Sequence, residues 1–402
     1  MRILDVCPRL PVPTDSGGSI RVFSLIKGLS QTVEVDILGI EFEKISDNDL
    51  AQLKGHCRKI FFAPWKYKPK LLQMGAIFKR VLTGEPFETK YTDLEELRRL
   101  LYKVTSEEDY DIIIIEHSVN ARLLFSLYPQ HGAKTVLSTH NTGFMQYYRM
   151  YQYERKLYKK LKLLLSWIPM RSWEPKIAAR FDKIVSVSES DKNLLLSRNP
   201  NLDIAVVPNG VDTRTYRPFP LKGREKNIII VGSMDYEPNV DGVLHFYDEI
   251  FPLIKKRQPH CTLTIVGKKP PSDVQRLNDE TRVMVKGDVD DVRPYYQKAL
   301  VSAVPLRSGG GTRLKILEAM ALGTPVVSTS IGCEGLHVEN NHNILIADNP
   351  ADFAQQITNL LTDLELWNRI SKNGRTLVEE NYDWLKISSE YRAILEELAQ
   401  RP

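Results

Sequence analysis

The sequence predicts an α/β protein made of two Rossmann-like domains, and three observations carry that prediction. Short apolar runs alternate with helical stretches twice, first over residues 3–187 and again over 227–346. Some runs, such as Ile112-Ile113-Ile114-Ile115, are apolar at every position, as in strands of a parallel sheet covered on both faces. Between the two series lies Val207-Pro208-Asn209-Gly210-Val211-Asp212 and then Arg217-Pro218-Phe219-Pro220, a turn-rich composition suited to an interdomain linker.

Taken in order, strands are expected at 3–6, 33–40, 59–63, 111–115, 135–138 and 183–187, and in the second series at 227–231, 262–266, 282–285, 300–304, 326–329 and 344–346. After Pro350 the pattern is helical to Gln400. The expected division is a first domain at 1–206, a linker at 207–225, a second domain at 226–382 and a C-terminal helix at 383–402. A chain of 402 residues with 42% hydrophobic content has ample material for two cores. Cys7, Cys57, Cys261 and Cys333 are scattered without paired spacing, so neither a disulfide framework nor a zinc site is indicated and a reducing compartment is expected. The first strand begins at once, without a signal-peptide core, and no apolar run nears the ~20 residues of a membrane span. A cytoplasmic location follows.

The net charge of +5 hides an uneven distribution. Residues 58–80 hold seven Lys/Arg and no acid, and 147–176 hold eight against Glu154 and Glu174, which leaves the remainder net acidic. Aromatic and aliphatic side chains interleave with these cations (Phe61, Phe62, Trp65 and Tyr67; Tyr151, Tyr153, Tyr158, Leu161, Leu163, Leu164, Leu165, Trp167 and Ile168), a mixture that suits an anionic lipid surface. A solvated helix packed on its own domain fits the same pattern. No nucleic-acid module is recognisable, so no nucleic-acid partner is expected.

The stretch at 308–329, SGGGTRLKILEAMALGTPVVST, is where the chemistry converges. Gly309, Gly310 and Gly311 open the loop after a buried strand. A helix follows with apolar residues at Leu314, Leu317, Ala321 and Leu322, ending at Gly323 with Pro325 beyond. Arg313 and Lys315 stand at the positive end of the helix dipole, which disfavours cations unless an anion sits between them. A di- or polyphosphate meets that need. Lys315 alone also fits a solvated pair with Glu318, three residues on, but three consecutive glycines have no use in a surface pair.

With Leu317-Glu318-Ala319-Met320-Ala321 and Gly323-Thr324-Pro325-Val326-Val327, this stretch resembles the donor-site motif of the retaining glycosyltransferases of family 4, which have the GT-B fold: two Rossmann-like domains facing across a cleft. The resemblance implies that Glu318 holds the ribose of a nucleotide and that Gly309, Gly310, Gly311 and Thr312 cup diphosphate and sugar. It also implies that the last helix crosses back to the first domain. In many members a further glutamate stands seven residues before the first, where this chain has Gly311. The loop Gly232, Ser233 to Asn239 follows the first strand of the second domain, where a nucleotide is touched, yet it lacks the arginine and lysine many members place there. Arg313 and Lys315 are expected to replace them, stabilising the leaving group without a metal. Lys286 and Gly287 match the backbone that meets the nucleobase.

On the first domain, Gly17 and Gly18 resemble the glycine loop between donor phosphate and acceptor, with Arg21 one turn into the helix. A plain tight turn also fits Gly17-Gly18. His140 ends its strand and matches the family histidine near the reacting centre, where a neutral imidazole could orient a hydroxyl; a histidine satisfied in its loop is the other reading. Glu116 and His117 end the neighbouring strand as cleft-wall residues, Glu116 being equally suited to a structural role. Asp288-Val289-Asp290 imitates a metal-binding pattern of another transferase fold, but Asp288 stands where a turn former and helix cap is expected, so no metal is expected.

The resemblance implies transfer of a sugar from a nucleotide diphosphate sugar, which is a co-substrate and not a cofactor, to a hydroxyl of a lipid-linked or surface glycan in bacterial polysaccharide assembly. With no carboxylate nucleophile evident, it implies front-face departure and attack. The missing glutamate and loop cations also admit a catalytically silent nucleotide-sugar-binding subunit. A nicotinamide dehydrogenase is disfavoured, since the glycines lack G-x-G-x-x-G spacing and follow a late strand.

Overall fold

A computed structural model describes residues 1–41, 45–64, 95–154, 156–279, 281–309 and 313–401. By its internal contacts the chain divides into two units, Met1–Pro208 with Leu385–Pro402, and Asn209–Trp384.

The first unit is built on seven strands, β1 (Arg2–Val6), β2 (Glu34–Glu41), β3 (Lys59–Pro64), β4 (Ile112–Glu116), β5 (Lys134–Ser138), β6 (Lys183–Ser186) and β7 (Ile204–Val206). All pair in parallel, in the order β3-β2-β1-β4-β5-β6-β7. The four isoleucines of β4 are buried because helices cover both faces of this central strand. Strand β7 is the one the sequence reading missed. Its three residues run straight into Val207-Pro208, so turn composition masked a strand long enough only to close the sheet edge beside β6.

The second unit repeats the plan with β8 (Glu225–Val231), β9 (Thr262–Gly267), β10 (Val283–Gly287), β11 (Ala299–Val304), β12 (Val326–Ser328) and β13 (Leu345–Ile346). Its order is β10-β9-β8-β11-β12-β13, again parallel throughout. In both sheets the first strand lies inside, with the second and third on one side and the fourth onward on the other. The direction in which strands are added reverses between β1 and β4, and between β8 and β11. The carboxyl ends of such strand pairs are where open α/β sheets bind ligands.

Helix Trp384–Ala399 buries Ile387, Tyr391, Leu395 and Leu398, a stripe at helical spacing, and Leu385 onward belongs to the first unit. Gly28 makes room for it, since a Cβ there would stand 2.2 Å from the Cβ and Oγ of Ser388.

One local expectation is corrected. Asp288 caps no helix. The next helix is Arg293–Lys298, and Asp291 accepts the Arg293 N–H at 2.9 Å. Asp288 itself has φ 49° and accepts the Lys269 N–H at 3.0 Å, which makes it a turn former only.

Candidate functional site

In the second unit, the loops after β8 and β11 meet at the switch point of the sheet. The first opens at Gly232, and the second runs from Pro305 into helix Leu314–Ala321. Leu317, Ala319, Met320 and Ala321 are buried, which seats that helix on the sheet and fixes where its first turn points. Arg313 stands at its cap position and offers no side-chain acceptor to the first N–H groups.

Lys315 reaches across to the neighbouring loop. Its Nζ donates to Asn239 Oδ1 at 2.8 Å, and Asn239 Nδ2 donates in turn to the Ser233 carbonyl at 2.7 Å. Gly232 leaves the space for this: a Cβ there would lie 2.6 Å from Lys315 Nζ and 2.9 Å from Asn239. Gly309 does the same on the other side, at φ +110°, where a Cβ would meet Arg313 Nη2 and Tyr236 Oη, each at 2.8 Å. The structure thus gathers Gly232, Ser233, Asn239, Gly309, Arg313 and Lys315 into one cradle. Gly310, Gly311 and Thr312 lie outside the described residues.

Glu318 follows one turn after Lys315. Burial, with Arg313 next in weight, brings Lys315 down to about 7, and Glu318 only partly opposes this. Burial likewise pushes Glu318 up to about 7 against the pull of Lys315 and a hydrogen bond with Tyr216. The pair is therefore poised near neutrality. Lys286 and Gly287 are placed elsewhere, exposed at the end of the edge strand β10.

The first unit has its own cluster at the β1–β4 switch point. Helix Gly17–Leu29 starts behind Ser16, whose Oγ accepts the Ser19 N–H at 3.3 Å. Gly17 is exposed, whereas Gly18 faces His140: a Cβ on Gly18 would lie 3.3 Å from His140 Nδ1 and 3.8 Å from His117 Cε1. On the far side of the ring, His140 Nε2 is 2.6 Å from Glu116 Oε2. The His117 ring lies against it, centroids 3.7 Å apart, on a backbone at φ 67°. Burial, and then the Arg21 charge, holds His140 at about 3, so the ring is neutral. Arg21 is itself buried, donates from Nη1 to the Pro208 carbonyl at 3.0 Å, and opposes the upward push of burial on Glu116. Beneath lies Asp5, also pushed up by burial and by Glu116, accepting from Cys7 Sγ at 3.3 Å.

The sequence reading brought together Gly18, Arg21, Glu116 and His140, and separately Lys315 and Arg313 with the 232–239 loop. It missed Asp5, Tyr216 and Tyr236. An acid within the apolar run Ile3–Val6 is a legible signal for the first; the two tyrosines sit in turn-rich runs that carry none.

Of the basic segment 58–80, only 58–64 are described, and there Arg58 is bound to Asp36 and Glu108 and Lys59 to Glu108. The segment 147–176 forms helices Gly143–Tyr153 and Leu157–Ala178. Among the described residues no helix is long and apolar enough to cross a membrane, and no group of three or more His, Cys, Asp and Glu could hold a metal ion.

Comparison with known proteins places this geometry. Residues 16–215 match the model described as Glycosyltransferase Family 4, and residues 225–363 the model described as Glycosyl transferases group 1. The chain is 23% identical to an uncharacterised 44.6 kDa protein of the cps region of Klebsiella pneumoniae, over 96% of this chain and 98% of that one. It is 25% identical to the UDP-Gal:α-D-GlcNAc-diphosphoundecaprenol α-1,3-galactosyltransferase of Escherichia coli, over 71% of this chain and 75% of the relative. The structure of HepE of Anabaena in complex with UDP-glucose superposes with a TM-score of 0.66 at 15% identity, covering 99% of this chain and 100% of that one.

Proposed function

The chain belongs to the glycosyltransferases of family 4 and group 1 and has the GT-B fold, and from that premise we propose that it transfers a sugar, with retention, from a nucleoside diphosphate sugar to a hydroxyl acceptor. The observation that carries the reading is Lys315 crossing from one switch-point loop to Asn239 on the other, with Arg313 beside it at Gly309. A diphosphate seated there meets two cations and the free end of a helix, and Lys315 gains its full charge as the leaving group takes on its own. Those cations do the work a divalent ion would otherwise do, so we read the transfer as metal-independent and in need of no cofactor beyond the nucleotide sugar.

Glu318, held by Tyr216, is assigned to the ribose, and Lys286 with Gly287 to the base. On the first unit, His140 is assigned to the acceptor. With Glu116 accepting from Nε2–H, the Nδ1 lone pair beside Gly18 is left to accept the acceptor hydroxyl, while Arg21 opposes the upward push of burial on that carboxylate. Front-face attack, with the leaving phosphate taking the acceptor proton, fits the lack of a nucleophilic carboxylate among these groups.

The Escherichia coli relative acts on a diphosphoundecaprenol-linked sugar and the Klebsiella relative lies in a cps region, which supports a lipid-linked or surface glycan as acceptor. We accordingly place the enzyme in the cytoplasm, at the inner face of the membrane; its four free thiols suit that compartment. The silent-subunit reading finds no observation in its favour, since Lys315 and Arg313 stand where the loop cations were missed.

The test is calorimetric titration with UDP, GDP and ADP, with added magnesium and with chelator, followed by transfer assays using sugars of whichever nucleotide binds. One nucleotide bound equally in both conditions, and turned over, is the expected result. No binding of any nucleotide to the wild type would overturn it.

A further inference from the structure

Helix Leu157–Ala178 is apolar on the side that faces away from its own unit. Ser166, Met170, Glu174, Ile177 and Ala178 are buried, as a packed helix requires. On the opposite side Leu157, Tyr158, Leu161, Leu165 and Ile168 are between 49% and 86% exposed. At 100° per residue these five fall within an arc of about 100°, and they form a continuous stripe three turns long. A solvated helix reverses this pattern, keeping apolar residues on the packed side only.

Cations border the stripe. Lys162 flanks one edge; the other carries Lys160, 5.0 Å over the Tyr151 ring, and Arg171, 6.0 Å over the Trp167 ring, and Lys156 stands at the N-terminus. The two acids counted against this segment are turned away from it. Glu174 is buried and accepts the N–H groups of Gly143 and Phe144, both at 3.0 Å, capping the preceding helix. Glu154 has little exposed side chain and lies 3.7 Å from Lys159. Among the described residues the outward face is therefore cationic and free of acid over its apolar length.

We infer that this face lies on an anionic lipid bilayer, with the five apolar side chains in the acyl boundary and the lysines and arginine at the headgroup phosphates. A second copy is the poorer occupant. A two-fold contact sets the same patch against itself, so cation rows would face cation rows with no acid between them. Phosphate headgroups supply the missing charge. The inference deepens the membrane placement proposed above, and it can be tested without any sugar transfer, so nucleotide binding stands or falls separately.

The experiment is vesicle sedimentation of the full chain, using phosphatidylcholine alone and phosphatidylcholine containing one-third phosphatidylglycerol, with sedimentation velocity in parallel. Binding is expected only to the anionic vesicles, weakening as salt rises above about 0.1 M. Replacing two cations in K160Q/K162Q should lower partitioning roughly 25-fold, at about fivefold for each charge near the surface. L161S/L165S/I168S should abolish it without lowering the thermal midpoint, since these side chains are exposed. Equal binding to both vesicle types, no binding to either, or binding that survives both variants would overturn the inference. So would a dimer that L161S/L165S/I168S disperses, because the stripe would then be a contact between copies.

Discussion

Lys315 offers the sharpest test of the proposed donor cradle, because its charge state is set by its burial there. Burial and Arg313 bring it down to about 7, so near that pH half the molecules carry a neutral amine bound to Asn239. A bound diphosphate favours the ammonium and raises this value, so binding takes up a proton. The sign follows from linkage: affinity is fully expressed below pH 7 and is lost as pH rises through it, until the value for the complex is reached. Between about pH 7.5 and 8.5 the protonated fraction of the free site falls roughly eightfold, and the association constant should fall with it. The window also avoids the nucleotide's own last phosphate ionisation, at about 6. Lys315→Met keeps the length of the side chain and removes the charge. One charge-assisted contact is worth about 2 kcal/mol, or roughly 30-fold in affinity at neutral pH. Calorimetric titration across the window, in two buffers of different ionisation enthalpy, reads both affinity and proton uptake. A wild-type affinity that does not change with pH, or a Lys315→Met variant that keeps the same slope, would refute the reasoning.

Three further outcomes are expected. Gly232→Ala puts a Cβ 2.6 Å from Lys315 Nζ and should displace that flexible end from Asn239, weakening nucleotide binding about tenfold by calorimetry while the fold is kept. His140→Ala should lower turnover about 100-fold yet leave nucleotide affinity within about twofold, because its partners Glu116 and Gly18 belong to the first unit. Gly28→Ala should cost about 1–3 kcal/mol in urea denaturation through its 2.2 Å clash with Ser388, and Ser388→Gly in the same chain should restore most of it.

Much of the architecture was legible because parallel strands buried on both faces write themselves as unbroken apolar runs. Ile112–Ile115 and Val326-Val327 could hardly be anything else. Strand β7 was not legible, since three residues beside Pro208 carry too little periodicity to outweigh a turn signal. Asp288 was assigned a cap because Asp before a helix usually caps it; here a left-handed turn intervenes and the next helix starts five residues later. Candidate site residues were legible where they closed a strand or opened a helix, as Glu116, Gly18 and Lys315 do, or followed shortly after a strand, as His140 does. Tyr216 and Tyr236 act from loops whose course only tertiary structure decides, so nothing at their own positions marks them.

The cations absent from the 232–239 loop show most clearly what local sequence leaves out. Judged by that loop alone, the donor site lacks its clamp. A clamp, however, is defined by where charge arrives in space. At the point where β8 and β11 lie side by side, the loops after the two strands are neighbours, though Asn239 and Lys315 are far apart in sequence. Lys315 needs only the length of its own side chain to reach Asn239, provided that Gly232 has no Cβ in the way. On the proposed reading, Gly232 is a sign of the clamp as much as Lys315 is. A glycine in one loop and a lysine at the start of a helix beyond the adjacent strand form a single feature when the strand order makes them neighbours. The alternating pattern of strands and helices implies parallel strands joined by crossovers, but which strands become neighbours is settled only in the sheet.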